Sequence, residues 1–497
     1  MRRPSLLFLY TDEQAAETMA AYGNELIQTP NLDRLAAQSL VFERAYVTQP
    51  VCTPSRASLL TGLYPHTCGC TRNNDPLDEA VQCLTELAEL SGYRTAHMGK
   101  WHLGDEIFPQ HGFEEWVSIE DGYRQYYNPW RDRDRHCDYW HWLVDRGIEP
   151  PPSADGFNPF PRSFTARLPE EHSKPAFLAE RATQFIRECG EDPFVLYVNF
   201  LEPHMPFFGP RDGEHDPADV PLPGNFHAPP PPDAPLKARL LHEHYRKMGI
   251  SGMPLQTEDD WRRLIAHYWG LCSLVDTYAG RILDALQSAG RAEDTIVVFT
   301  SDHGDMMGAH QLVGKTVMYE EAVRVPLMLR VPWLEQPVGR IRAPVSQVDL
   351  VPTLLDLMGR LVPAHLQGRS WRPHLHRPES FPERDVVIEW NGPDNGVTDV
   401  RARGLPDHLA HMTSYDEAYA SITAQVRTII TPTGWKLNVS PIGEHELFNL
   451  REDPGETRNL IDDAAVADVV GDLFERVLRW QEETGDEATM ASDPRIR

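Results

Sequence analysis

Cys52 opens the run Cys52-Thr53-Pro54-Ser55-Arg56-Ala57-Ser58-Leu59-Leu60-Thr61-Gly62. Pro50 before it and Pro54 after it put the cysteine on an irregular turn, and Ser58 to Leu60 predict the beginning of a helix. A cysteine near a helix N-terminus with Arg56 one turn on is expected to have a lowered thiol pKa, as a nucleophile does. A buried cysteine that caps a helix is the plainer alternative. Two acidic sets lie far away along the chain, Asp12-Glu13 and Ser301-Asp302-His303-Gly304-Asp305. Carboxylates at two strand ends are what a hard divalent cation needs, and such a cation would neutralise substrate oxygens and acidify a nucleophile. For either set alone, helix capping by Asp12 or Asp302 is the competing explanation.

Lysines and histidines supply the remaining chemistry. Lys100 and His102 lie in Gly99-Lys100-Trp101-His102-Leu103-Gly104, His204 in Glu202-Pro203-His204-Met205-Pro206-Phe207, and Lys315 follows Gly314. Singly, each reads as a solvated lysine or a packed histidine. Their positions just beyond strand ends, or a short loop past the Asp302-His303 pair, favour a shared site instead.

The cysteine run resembles the signature of type I sulfatases, in the alkaline phosphatase superfamily. The resemblance implies that a maturation enzyme oxidises Cys52 to formylglycine (3-oxoalanine). The aldehyde is then hydrated, one hydroxyl attacks sulfur, and the second expels sulfate by collapse to the aldehyde. It also implies Asp12, Glu13, Asp302, His303 and residue 52 as ligands of one divalent cation, calcium first, with manganese, magnesium or zinc as alternatives. Arg56 is then expected to orient the nucleophile, Lys100 to contact sulfate oxygens and His102 to act as base. His204 and Lys315 are expected to serve the leaving group.

Two positions depart from the family pattern. Many sulfatases have a second Asp at position 13 and an Asn at position 303, where this chain has Glu13 and His303. The Asp302-His303 pair resembles the branch that contains phosphonate monoester hydrolases and choline sulfatases, and imidazole suits manganese or zinc better than calcium. The expected substrate is a small aryl, sugar or alkyl sulfate ester. The first alternative is a phosphonate monoester or phosphodiester attacked by the same site, and the second is a non-catalytic anion-binding protein that keeps Cys52 unmodified. Thr29-Pro30-Asn31-Leu32-Asp33 and Glu446-Leu447-Phe448-Asn449-Leu450 are similar to structural landmarks of the family.

Short apolar runs that alternate with helical patterns place these residues in an α/β fold built on a parallel sheet covered on both faces. The strands are Leu6 to Tyr10, Thr95 to Met98, Phe194 to Phe200, Thr295 to Thr300 and Leu327 to Val331. Asp12, Lys100, His204 and Asp302 follow four of them, and ligand sites of open α/β sheets lie beyond the carboxyl ends of strands. Thr29 to Ser39 and Trp261 to Ser288 read as covering helices. Residues 105–175 and 205–258, rich in Pro, Gly, His and aromatics, read as surface excursions. Within them Tyr123 to Trp142 suits a ring bearing anionic groups, or else a packed lid. Residues 391–420, with Arg401, Arg403, His408 and His411, form a second candidate wall. The family resemblance implies a large mixed, mostly parallel sheet. Residues 1–375 are expected to form the catalytic domain, and residues 376–497 a smaller α+β domain with a hairpin through Thr431-Pro432-Thr433-Gly434 and a last helix from about Ala464 to Glu483.

The 497 residues carry a formal charge of −27, which argues against nucleic-acid binding and requires local cations wherever an anionic substrate sits. No apolar stretch is long enough to span a bilayer. The apolar run Leu6 to Tyr10 is too short for a signal peptide, and seven scattered cysteines suit a reducing compartment. A cytoplasmic enzyme is expected, with homo-oligomerisation left open. Cys68-Gly69-Cys70 is too tightly spaced for a usual zinc pair and reads as structural.

Overall fold

The computed structural model describes residues 3–152, 157–334, 338–392 and 404–490. Its centre is an eight-stranded sheet in the order Gly339–Ile341, Leu40–Phe42, Leu327–Arg330, Thr295–Ser301, Ser5–Asp12, Phe194–Pro203, Arg94–Gly99, Glu115–Val117. Alternation along the strands divides two cores. Leu6, Phe8 and Tyr10 point to one face with Val195, Tyr197, Ile296 and Val298, whereas Leu7 and Leu9 point to the other with Leu196, Val198, Val297 and Phe299. The helix Cys52–Thr61 covers the first face, while Lys174–Cys189 and the 31-residue Glu258–Ser288 cover the second. The long helix starts on a capping box between Thr257 and Asp260.

Five of the seven strand pairings are parallel. The exception is Leu327–Arg330, which runs antiparallel to both neighbours and makes the sheet mixed. The chain leaves Thr295–Ser301 at its carboxyl end and re-enters beside that end after a loop, so no crossover helix returns it to the far edge.

A second, antiparallel sheet of four strands follows: Val386–Asn391, Gln425–Ile430, Trp435–Val439 and Glu446–Asn449. Gly434, at φ 93°, closes the hairpin by donating to the Thr431 carbonyl at 3.0 Å. One face of this sheet packs Val387, Ile429, Leu437 and Val439 on the helix Ala467–Thr484. The other face adds Val386, Ile388, Trp390 and Ile430 to the main core. The C-terminal sheet is therefore buried on both sides, and its first strand reaches the segment just ahead of Cys52, where the Glu389 amide donates to the Thr48 carbonyl at 2.7 Å. The second excursion also contains the amphipathic helix Leu236–Met248, which the proline-rich flanks obscure in the sequence. Among the described residues no helix is long and apolar enough to cross a membrane.

Candidate active site

Parallel register puts Asp12 and Asp302 side by side at the ends of adjacent strands, where the Asp302 amide donates to the Thr11 carbonyl at 3.1 Å. Cys52 is the first residue of its helix. Its sulfur lies 3.3 Å from His303 Nε2 and 3.7 Å from Asp12 Oδ1. Asp12, Cys52, Asp302 and His303 form one divalent-metal-binding cluster, their ligand atoms all within 4.8 Å of one another and all four residues buried.

The tautomer of His303 shows what the cluster is for. Its Nδ1 sits 2.9 Å from the Gly304 carbonyl, an acceptor only, so Nδ1 carries the proton and Nε2 is bare. Burial holds this imidazole below its usual pKa, opposed by Asp302, so the ring is neutral. The Nε2 lone pair then faces Asp302 Oδ1 at 3.5 Å and Asp12 Oδ1 at 3.7 Å. Three acceptors converge with only the thiol proton and the Glu13 amide, which donates to Asp302 Oδ1 at 3.1 Å, among them, and they repel one another unless a cation lies between. Two carboxylates and one imidazole fit a divalent ion of borderline hardness. Gly304 is required here, since a Cβ would lie 1.9 Å from the Glu321 carbonyl oxygen.

Fixed cations hold the carboxylates. Arg56 reaches Asp12 Oδ2 and Asp302 Oδ2, each at 2.8 Å, and Lys100 Nζ also bonds Asp12 Oδ2. Burial works against ionisation of Asp12, but Lys100, His204, Arg56 and Lys315 outweigh it and hold its pKa well below the carboxylate range. Arg56 is itself fixed by the Lys100 carbonyl at 2.8 Å and Asn199 Oδ1 at 2.7 Å. Gly99 lets the chain turn into Lys100 at φ 115°, where a Cβ would lie 1.9 Å from the Asn199 carbonyl oxygen.

The expected lowering of the Cys52 thiol pKa is overturned. Burial pushes it up to about 11, and Asp12 beside it adds to the rise. Arg56, the residue thought to lower it, is committed to the two carboxylates. The unmodified thiol is therefore a poor nucleophile in this setting.

Glu13, His204 and Lys315 form a second group that shares Asp12. Lys315 Nζ is 3.0 Å and His204 Nε2 3.5 Å from Glu13 Oε2. Asp12, Glu13 and His204 also bring ligand atoms within 4.8 Å of one another, and burial raises the Glu13 pKa to about 8 against the pull of Lys315. Asp305 fixes its loop by accepting from the Met307 and Gly314 amides at 2.7 and 2.9 Å. His310 bonds the Ala228 carbonyl and stacks on Tyr319.

The His102 ring contacts Asn74 Oδ1 through Nε2 at 3.0 Å and packs on Tyr123. It is tied to the Cys52 turn through its carbonyl, which accepts from Thr53 Oγ1 at 2.7 Å. Burial first, then Lys100 and Arg56, hold its pKa well below the usual value. With Nε2 donating to the amide oxygen, the buried and unpartnered Nδ1 is the proton acceptor.

Several supporting groups escaped the sequence reading. Glu106 accepts from the Trp101 and His102 amides at 2.8 and 2.7 Å, and its place four residues after His102 was the available signal. Arg162 is held by Glu120 at 2.7 Å and Tyr123 at 2.7 Å, and reaches His204 Nδ1 at 3.2 Å. Nothing in its excursion marks it. In the aromatic segment, Tyr127, Tyr139 and Trp142 fill the core, whereas Trp130 is 71% exposed. Arg131 pairs with Asp105, and Arg135 lies over Phe108. His408 bonds His244 at 3.1 Å, while Arg401 and Arg403 lie outside the described residues.

A family model described as Sulfatase matches residues 4–360. The chain is 29% identical to the uncharacterized sulfatase YidJ of Escherichia coli K12, over 98% of this chain and 88% of that protein. It is also 29% identical to the multifunctional alkaline phosphatase superfamily protein PehA of Trinickia caryophylli, over 97% of this chain and 96% of the relative. Among solved structures, the phosphonate monoester hydrolase of Agrobacterium radiobacter superposes with a TM-score of 0.75 at 26% identity, covering 97% of this chain and 96% of that one.

Proposed function

Since the chain belongs to the sulfatase family, we propose that it hydrolyses a sulfate ester to an alcohol and inorganic sulfate, with Cys52 as the precursor of a formylglycine nucleophile. The observation that carries this reading is the convergence of Asp12 Oδ1, Asp302 Oδ1 and the bare His303 Nε2 around Cys52. Asp12, Asp302 and His303 would hold the divalent ion, with residue 52 completing the set. Bound there, the ion would neutralise ester oxygens and acidify the attacking hydroxyl. The imidazole ligand favours manganese or zinc over calcium.

The residues of this chain divide the remaining work by depth. Asp12, Arg56, Lys100 and Asp302 are sealed from solvent, whereas His204 is 10%, Lys315 11% and Arg162 26% exposed in their side chains. The ester therefore enters from the His204, Lys315 and Arg162 side, with its sulfate deepest. Lys100 faces the non-bridging oxygens, and His102 Nδ1 accepts the proton of a hydroxyl on residue 52. On the open side, Lys315 neutralises charge on the departing oxygen, with His204 beside it as a neutral imidazole, since burial and then Lys315 hold its pKa well below the usual value. Arg56, Lys100 and Lys315 supply the local positive field that an overall charge of −27 demands. Seven free thiols support a cytoplasmic, reducing setting.

Mass spectrometry of the peptide around Cys52, combined with turnover of an aryl sulfate in the presence of manganese, calcium or zinc, tests the proposal. A Cys52→Ala enzyme that still hydrolyses sulfate at the full rate would sink it. The Asp302-His303 pair and the likeness to a phosphonate monoester hydrolase support a second reading, phosphonate or phosphodiester cleavage at the same site. Paired kcat/KM values on aryl sulfate and aryl phosphonate esters separate the two.

A further inference from the structure

The loop that carries Lys315 is held from three sides. Ahead of it, the Gly314 amide donates to Asp305 Oδ1 at 2.9 Å. Behind it, the Thr316 amide donates to the Pro50 carbonyl at 3.1 Å, two residues before Cys52. The third hold comes from outside the loop, where Lys237 Nζ donates to the Thr316 carbonyl at 2.6 Å. Thr316 itself sits at φ 78°, a left-handed conformation that a β-branched residue adopts only when its surroundings over-determine it. Release of one hold lets the backbone relax and moves the side chain next in line, which is Lys315.

Lys237 is built for this task. It lies on the helix Leu236–Met248 and is buried. Its ammonium is 3.3 Å from the centroid of the Trp390 ring on the first strand of the C-terminal sheet. A desolvated cation stacked on tryptophan and bonded to a carbonyl has little freedom to move. Its own amide donates to Ser421 Oγ at 3.0 Å, on the helix Tyr415–Thr423. The C-terminal region thereby reaches within one residue of Lys315, although it contributes no residue to the metal cluster.

We propose that Lys237 is a positioning residue that, braced by Trp390, fixes the loop so that Lys315 meets the leaving-group oxygen. This rests on the reading of Lys315 as a leaving-group residue. The test is a series of sulfate esters with graded leaving-group acidity, assayed on metal-loaded, formylglycine-containing enzyme. Lys237→Met is expected to lower kcat/KM about tenfold on alkyl esters, the worth of one charge-assisted hydrogen bond, and to spare activated aryl esters. Lys315→Ala is expected to show the same selectivity more strongly, and the double variant to be no worse than Lys315→Ala. Lys237→Gln, which keeps a donor for the Thr316 carbonyl, retains more alkyl-ester activity than Lys237→Met, and it carries the test if the methionine variant does not fold. Equal slowing of aryl and alkyl esters by the Lys237 variants, or additive losses in the double variant, overturns the proposal. If Lys315→Ala itself slows both ester classes alike, the reading of Lys315 falls and takes this inference with it. Selectivity in Lys315→Ala but not in the Lys237 variants removes this inference alone.

Discussion

Beyond the strand ends, Arg56 and Lys100 face Asp12 and Asp302; at the junction with the C-terminal sheet, Lys436 faces Glu320 at 3.1 Å and Glu456 at 2.7 Å. Both clusters are buried and both mix charges of opposite sign. The junction closes on itself, because Tyr46 and the Glu320 amide take further carboxylate oxygens at 3.0 and 2.6 Å. The strand-end cluster does not close. Its cations take only one oxygen of each carboxylate, and although Asp302 Oδ1 also accepts the Glu13 amide at 3.1 Å, Oδ1 of both aspartates converges with His303 Nε2 and Cys52. Buried charge that satisfies itself ties elements together, whereas buried charge with a surplus of acceptors is a binding site.

The sharpest break in this comparison is Cys52→Ala. It should reduce sulfate ester turnover to background while leaving the thermal midpoint nearly unchanged, since Cys52 supplies no fixed charge; calorimetry alongside a kinetic assay checks both halves. Asp302→Asn comes next. A metal ion supplies several kcal/mol of transition-state stabilisation, so kcat/KM is expected to fall about a thousandfold or more. Metal content measured by mass spectrometry should fall with it. In the junction, Lys436→Met should cost about 3 kcal/mol of stability, the usual penalty for stranding one partner of a buried pair, with kcat/KM of the folded enzyme unchanged. Denaturant unfolding beside kinetics reads that split.

The smallest effect concerns pH. Burial raises Glu456 to about 8, partly opposed by Lys436, and raises Glu446 and Glu321 to about 7. A carboxyl whose folded pKa is raised contributes stability below its unfolded pKa, and that contribution is lost as pH rises through the folded value. The thermal midpoint should therefore decline between about pH 5 and pH 8. Glu456→Gln should flatten that decline without altering the pH profile of turnover. A flattened activity profile would mean that the two clusters communicate.

Much of the site was legible because its residues are short motifs at strand ends. Asp12 and Asp302 follow apolar runs that must be buried strands, and the Cys52 run is distinctive by itself. Lys315 was legible only through its distance past Asp302. Arg162 and Lys237 were not legible, since their roles depend on which carboxylate, ring or carbonyl the fold sets opposite them. The antiparallel course of Leu327–Arg330 was hidden for a similar reason: an apolar run shows that a strand exists but not its direction.

The thiol pKa shows where the division lies. From neighbours along the chain, Arg56 should have acidified Cys52; in the folded protein Arg56 is bound to Asp12 and Asp302, and burial beside Asp12 moves the thiol the other way. The sequence by itself determined which polar residues follow the ends of buried strands, because local periodicity and motif spacing encode that placement. Only the tertiary structure decided which charge each residue faces and which acceptors remain unpaired, because electrostatic energy depends on distances and burial created by segments hundreds of residues apart.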